Sequence, residues 1–312
     1  MSMIDSGKVN KMQLPNFLCI GIAAYNEAES IQKALEHIFR QSLWKAMPAG
    51  QKEIIVCANG CTDKTPEIVR AIMKEHPEVK LIEISQKSKV AAWKRIVNAS
   101  NPKAPVLFFV DADVIVHHKA LERLWNAFRE NPSLYLVGGF AIPFGASESK
   151  GRFMKGLNKE YRARVLANKP GHLSGALYGI SRTHALELSK KMPDNLLVED
   201  RYIQLMTPKE RYAKVFDAKV YFKPPLTIKD FLKQQRRFER GRRQLVEMGI
   251  EKRAPAIESV KSKVEKAKGL PLSSKVKYSL LHFGSRIYSK MPAFDFWPKN
   301  VSSKLKRHRP RA

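Results

Sequence analysis

Only three cysteines, Cys19, Cys57 and Cys61, occur in 312 residues. They are too few and too irregular for a disulfide framework, and Cys57/Cys61 lack the second pair that a structural zinc site needs. A reducing compartment is therefore expected. No apolar run approaches the roughly 20 residues that span a bilayer, and the first 17 residues hold no stretch long enough for a signal peptide. The expectation is a chain that is soluble or attached to a surface. The eight histidines show no metal-like spacing, adjacent His117 and His118 cannot share one helical face, and no internal repeat is visible. Acidic residues are scarce as well, 29 against 57 Lys and Arg, for a formal net charge of +28. Such an excess attracts phosphates, whether of nucleic acid, anionic lipid or nucleotide. Zinc-finger spacing, RNP-like aromatics and a heptad-plus-basic region are all missing, which argues against nucleic acid.

What is present is 44% hydrophobic residues, enough for a substantial core. In the first half, short apolar runs at 17–24, 53–58, 79–84 and 105–110 alternate with helical patterns at 27–40, 64–75 and 89–99. That alternation predicts βαβ units, hence an α/β fold with a mostly parallel central sheet flanked by helices. Beyond Asp113 the pattern weakens: a helix over 118–129, a strand over 134–140, a helix over about 150–167, a loop entering a strand over 172–180, and a strand or hairpin over 212–222. Helical composition takes over from Thr227 to about Met248 and again over 274–291. The basic excess is uneven, roughly +12 over residues 1–225 and roughly +16 over the rest. On the helix at 274–291, Val276, Leu280, Phe283, Ile287 and Met291 share one side, a pattern suited to core packing or to an anionic membrane interface.

In an open α/β sheet, ligands lie beyond the carboxyl ends of the strands. The polar residues there are Ala24-Tyr25-Asn26-Glu27 after the first run, Asn59 through Asp63 after the second, and Asp111-Ala112-Asp113 after the fourth. Each has an ordinary alternative: Asn59-Gly60 as a turn, Asp63 as a helix cap, Glu27 as a first-turn carboxylate. Asp111 and Asp113 fit a plain structural role less well. They follow a buried strand, alternate residues point the same way, and two close carboxylates repel unless a cation or a shared proton intervenes. Hard oxygen ligands favour Mg²⁺ or Mn²⁺.

This ordered set resembles the family 2 glycosyltransferases, whose fold is the GT-A type, over about residues 17–241. The resemblance implies an inverting, metal-dependent transferase with a nucleotide-sugar donor, a UDP-sugar favoured, and a saccharide or lipid acceptor. Residues 19–27 look like the opening strand and nucleotide-contacting turn, and 56–65 like the second motif, where Asn59 or Asp63 would contact the base. Lys89 sits where the family often has a Gly-Lys pair, with Ser88 in place of the glycine and Lys94 where an asparagine is usual. Asp113 would be the metal ligand, with Asp111 supporting metal or ribose. Glu199-Asp200 is similar to the Glu-Asp motif, which makes Asp200 the general base and Glu199 its neighbour in positioning the site; a helix N-terminus is the plainer reading. Gln234-Gln235-Arg236-Arg237-Phe238 resembles a Gln-x-x-Arg-Trp motif with Phe238 for Trp, placing Arg237 at the diphosphate and Gln234 and Phe238 near the acceptor. Ser174-Gly175 resembles an acceptor-side loop.

The resulting organisation is a tail at 1–14, a catalytic domain at 15–225 with a nucleotide-sugar half to about 115 and an acceptor half after it, a basic helical C-terminal extension at 226–297 completing the active site, and a basic tail at 298–312. A cytoplasmic location, peripheral on the membrane face, follows from the resemblance. A nucleotidyltransferase on a related sheet is the alternative enzyme class, but residues 20–26 lack its Gly-rich phosphate loop.

Overall fold

The computed structural model describes residues 13–252. In chain order the elements are β1 (Leu18–Ala24), α1 (Ile31–Phe39), α2 (Ser42–Ala46), β2 (Lys52–Asn59), α3 (Thr65–Glu75), β3 (Val79–Ile84), α4 (Lys89–Ala99), β4 (Val106–Val110) and β5 (Ile115–Val116). They continue with α5 (Ala120–Glu130), β6 (Leu136–Pro143), α6 (Gly151–Asn168), β7 (Leu177–Ser181), α7 (Arg182–Lys191), α8 (Glu199–Met206), β8 (Tyr212–Phe222) and α9 (Ile228–Glu247). One sheet of order β3-β2-β1-β4-β7-β6-β8-β5 runs through the molecule. β3, β2, β1 and β4 are mutually parallel; β7 is antiparallel to β4 and β6, while β6 and β8 pair in parallel. The amphipathic helix expected at 274–291, residues 1–12 of the N-terminal tail, and the C-terminal extension and tail beyond residue 252 lie outside the described residues.

Strands β1, β2, β4, β6 and β7 are buried on both faces over most of their length, which is why they read as apolar runs. Period-two alternation divides them. Leu18, Ile20 and Ile22 of β1 and Val106, Phe108 and Val110 of β4 meet α1, α2, α3 and α5 on one face. Cys19, Leu107 and Phe109 turn to the other, where α4, α7, α8 and α9 supply Trp93, Ile96, Leu188, Ile203 and Leu245. There Phe109 stacks between Trp93 and Tyr178, at centroid distances of 5.6 and 5.2 Å, and the Trp93 indole N–H donates to the Tyr178 hydroxyl at 2.9 Å. Gly21 permits this packing: a Cβ at that position would stand 2.5 Å from Ile96 Cγ2.

One boundary differs from the sequence expectation, one open alternative is resolved, and three further elements are added. α1 starts at Ile31 rather than at 27, because Asn26 takes a left-handed φ of 55° and residues 27–30 form a turn closed by N–H donation from Ser30 and Ile31 to the Glu27 carbonyl. Residues 212–222 form one strand, since β6 and β5 flank it on both edges. The short elements α2, β5 and α7 carried no periodic signal of their own.

Buried His184 in the first turn of α7 gives the fold a pH signature. Its Nε2–H donates to Thr207 Oγ1 at 3.0 Å, because the Thr207 hydroxyl itself donates to the Ile203 carbonyl. Nδ1 lies 3.7 Å from a Glu187 carboxylate oxygen, and Tyr135 stacks on the ring. Burial pushes the imidazole below its ordinary range and Lys191 adds to this; Glu187 only partly opposes them. The unfolded chain therefore binds the proton more tightly, so this contribution to stability is full above about pH 6.5 and is lost on acidification toward the lowered folded value. His184→Gln should show a smaller drop in urea midpoint between pH 7.5 and 5.5 than the parent; an equal drop would refute the assignment.

Candidate active site

The strand order reverses between β1 and β4: β2 and β3 are laid down on one side of β1, and the chain then crosses to place β4 on the other. Loops leaving the carboxyl ends of two such strands part to either side and leave a crevice. Residues 25–30 leave β1 there, and Asp111, Ala112 and Asp113 leave β4.

The first loop is tied to the one after β2. Asn26 N–H reaches Cys61 Sγ at 3.4 Å, and its side-chain oxygen accepts Thr62 N–H at 2.7 Å. Glu27 N–H donates to Thr65 Oγ1, and Ala28 N–H to Asp63 Oδ2. The other Asp63 oxygen accepts both the N–H and the hydroxyl of Thr65. Asn26 and Asp63 thus build the floor of the crevice by holding its backbone. Ala24, Asn59 and Ala112 are buried; the Ala24 carbonyl accepts the Cys61 thiol, and the Asn59 amide nitrogen has no hydrogen-bond partner among the described residues. Tyr25 lies under the Lys87 ammonium, 5.5 Å from the ring centre.

Above this floor stands a charged cluster. Lys89, first residue of α4, places Nζ 2.7 Å from Asp111 Oδ1 and 2.9 Å from Glu199 Oε1. Its ammonium therefore joins the end of β4 to the start of α8, two points 88 residues apart in the chain. Next to it, Asp200 accepts Gly175 N–H at 3.1 Å on one oxygen and Arg201 N–H at 2.8 Å on the other. A Cβ on Gly175 would lie 3.4 Å from Lys89 Nζ and 3.5 Å from Asp200 Oδ2, so the bare glycine keeps open the space between ammonium and carboxylate. The Ser174 hydroxyl oxygen accepts Ala176 N–H. Lys89, Glu199 and Arg237 also line a cleft of about 340 Å³ with Ser88, Asp194 and Leu197. Phe238 is exposed, with the Arg237 guanidinium 5.3 Å from its ring, and Gln234 is half-buried one turn earlier.

The electrostatics separate neighbouring carboxylates. Burial and then Asp113 push Glu27 up to about 8, against a hydrogen bond from the Ser30 hydroxyl. Asp113 stays exposed at the rim of the crevice; partial desolvation by its surroundings, then the Asp111 charge, lifts it to about 6, although Lys89 and Arg237 pull it down. For Glu199 burial acts upward, but the paired Lys89 and nearby Arg237 prevail and hold it below the ordinary carboxylate range. Asp200 moves the other way, raised by burial and then by the Glu199 charge. Two adjacent carboxylates pushed apart in this way suit different work: one stays an ion, the other gains affinity for a proton.

The mutual repulsion of Asp111, Asp113 and Glu27 is what a divalent cation relieves, so the donor chemistry fits one. Among the described residues no three His, Cys, Asp or Glu groups converge tightly enough to hold a metal alone.

A GT-A-type sheet with carboxylates at its switch point is a scaffold for nucleotide-linked substrates. The sequence model described as glycosyl transferase family 2 matches residues 19–188, more than half of the chain, and the protein belongs to that family. It is 32% identical over 138 residues to glycosyltransferase AglE of Haloferax volcanii, covering 43% of each chain. To the poly(ribitol-phosphate) beta-N-acetylglucosaminyltransferase TarP of Staphylococcus aureus it is 27% identical over 133 residues, 42% of this chain and 39% of the relative. The chain thus spans less than half the length of these relatives. Its fold matches that of the mannosyltransferase PcManGT from Pyrobaculum calidifontis, solved with GDP-Man and Mn²⁺, at a TM-score of 0.56 and 17% identity over 89% of this chain and 84% of that one.

Sequence reasoning found the carboxylates but missed what orders them. Nothing in the sequence marked Lys89 as a bridge, or Ser30, Cys61 and Thr65 as fasteners of the floor.

Proposed function

We propose that this chain is a metal-dependent, inverting glycosyltransferase that moves a sugar from a nucleoside diphosphate, UDP favoured, to a hydroxyl of a saccharide or lipid-linked acceptor. The observation that carries this reading is the Lys89 ammonium joining Asp111 to Glu199, because it brings the candidate metal-holding end of β4 and the Glu199-Asp200 pair to one cation. Asp113 and Asp111 would hold Mg²⁺ or Mn²⁺, which when bound neutralises charge on the leaving diphosphate. Arg237, a permanent planar cation, faces the same charge. Asp200, with its raised proton affinity, takes the proton of the acceptor hydroxyl, while ionised Glu199 keeps Lys89 in place. A base opposite the departing nucleotide makes the attack in line and inverts the anomeric carbon.

The family relatives support glycosyl transfer, and the name of the Pyrobaculum enzyme's complex supports metal use in this fold. We further propose that the basic C-terminal region holds the enzyme against the anionic cytoplasmic membrane face; no helix among the described residues is long and apolar enough to cross a membrane. The test is a panel of UDP- and GDP-sugars with Mg²⁺ or Mn²⁺, read as released nucleotide. At least one donor should turn over, and Asp113→Ala should slow it by at least about 100-fold. A variant as fast as the parent would reject this role for Asp113, and a panel without turnover would reject the function.

A further inference from the structure

The segment that delivers Glu199 and Asp200 has no regular structure of its own between Met192 and Glu199. Its placement must come from what grips it. On one side is α4: the Ser88 hydroxyl donates to the Asp194 carbonyl at 3.3 Å, and Lys94 pairs with the Asp194 carboxylate at 2.5 Å. On the other side is α9, and its grip is closer to the base. The Gln244 side chain engages the segment's backbone with both ends of its amide: the oxygen accepts Leu197 N–H at 3.1 Å and the nitrogen donates to the Asn195 carbonyl at 3.0 Å.

Packing reinforces this pair of bonds. Gly241, one turn earlier, is where α9 presses on Val198; a Cβ there would stand 2.6 Å from both Val198 methyl carbons. Leu245 is fully buried in the cluster that contains Leu196, Val198 and Tyr202. Glu251, just past the helix, pairs with Arg201 at 2.9 Å, next to Asp200. Arg237, Gly241, Gln244 and Leu245 recur at spacings of four, three and one, so they share one face of α9. The face that turns Arg237 toward the cleft therefore also holds the backbone from residue 195 to 201.

From this we infer that Gln244 is a positioning residue for the Glu199-Asp200 pair: its two-ended amide clamp fixes residues 195–197 and thereby aims the base. The inference rests on the function proposed above and assigns a residue outside the resemblance. Both ends of the Gln244 amide are spent on the backbone of this one segment. Placing a base wrongly by a fraction of an ångström penalises the chemical step far more than ground-state binding.

The experiment uses the full chain with Gln244→Leu, which keeps approximate size and loses both bonds, Gln244→Glu, which can still accept from Leu197 N–H, and Glu247→Ala on the exposed side of α9 as a control. With a nucleotide sugar that the parent turns over, Gln244→Leu should lower kcat by about 10- to 100-fold and leave donor KM and the Kd for UDP or GDP with Mn²⁺ unchanged. Gln244→Glu should recover part of kcat and Glu247→Ala all of it. A kcat equal to the parent's, or a loss shared equally between kcat and nucleotide affinity, overturns the inference. Should the parent turn over no nucleotide sugar, the function fails but the clamp is still decided by amide hydrogen exchange. Faster exchange over 195–201 in Gln244→Leu, with β1–β4 unchanged, upholds the clamp, and unchanged exchange refutes it.

Discussion

Replacing Asp200 with asparagine should lower kcat for sugar transfer by about 10²- to 10⁴-fold, the range that a positioned base contributes. Binding of UDP or GDP with Mn²⁺ should change little. The structure gives Asp200 no ion-pair partner among the described residues; it meets backbone N–H groups of Gly175 and Arg201 and the repelling charge of Glu199. Its removal therefore takes away a proton acceptor without unbinding a cation. Asparagine offers one oxygen where the carboxylate had two, so either Gly175 or Arg201 N–H loses its partner, at about 1–3 kcal/mol. The diagnostic result is a fall of kcat and kcat/KM in proportion, which marks an interaction made only in the transition state. A change confined to KM would assign Asp200 to substrate binding and leave the reaction without this base.

Lys89→Met should produce the largest loss of stability of any single change at the site, about 3 kcal/mol. The ammonium is the common partner of Asp111 and Glu199, and Glu199 is only 10% exposed. Methionine preserves the length of the stem and abandons both carboxylates in a poorly solvated crevice. Carboxylates stranded in this way are a better cation site than those of the parent. Millimolar Mn²⁺ should consequently raise the thermal midpoint of Lys89→Met more than that of the parent. If the variant melts at the parent temperature, the two ion pairs carry no net stability; if Mn²⁺ helps both equally, the freed carboxylates do not face a common cation.

The parts of the fold that were legible in the sequence were those with both faces of a strand buried. The runs Leu18–Ala24 and Val106–Val110 announce themselves because every position is apolar, and their helices because α1 and α3 carry one apolar side. The acceptor half was less legible. β8 is half-buried along most of its length, and the pairing of β6 with β8 slips at Gly139/Phe140, so neither keeps a clean alternation. α7 follows β7 without a break and carries few apolar residues, while α8 was expected only as a helix start beside Asp200.

The same contrast holds for the site. Asp111 and Asp113 could be found because a carboxylate at the end of a buried strand is a local anomaly. The bridging role of Lys89 depends on residues 22 and 110 positions away, and the clamp of Gln244 on residues 47 and 49 positions away; separations of that kind leave no trace in spacing. Asn59 and Asp63 illustrate the converse. Their side-chain surroundings could not be read from the motif: Asn59 is buried, and both Asp63 oxygens are engaged by the neighbouring loops.

The engagement of Asp63 bears on any attempt to redesign donor preference. With three hydrogen bonds already directed at its carboxylate, this side chain works as a rivet between two loops, and exchanging it to favour a different nucleobase would loosen the surface on which, under the proposed function, the donor rests. Altered selectivity is better sought where the floor meets open space, along the 430 Å³ hollow between Thr62, Pro66, Glu83 and Lys87. Side chains there can be changed without drawing the rivet.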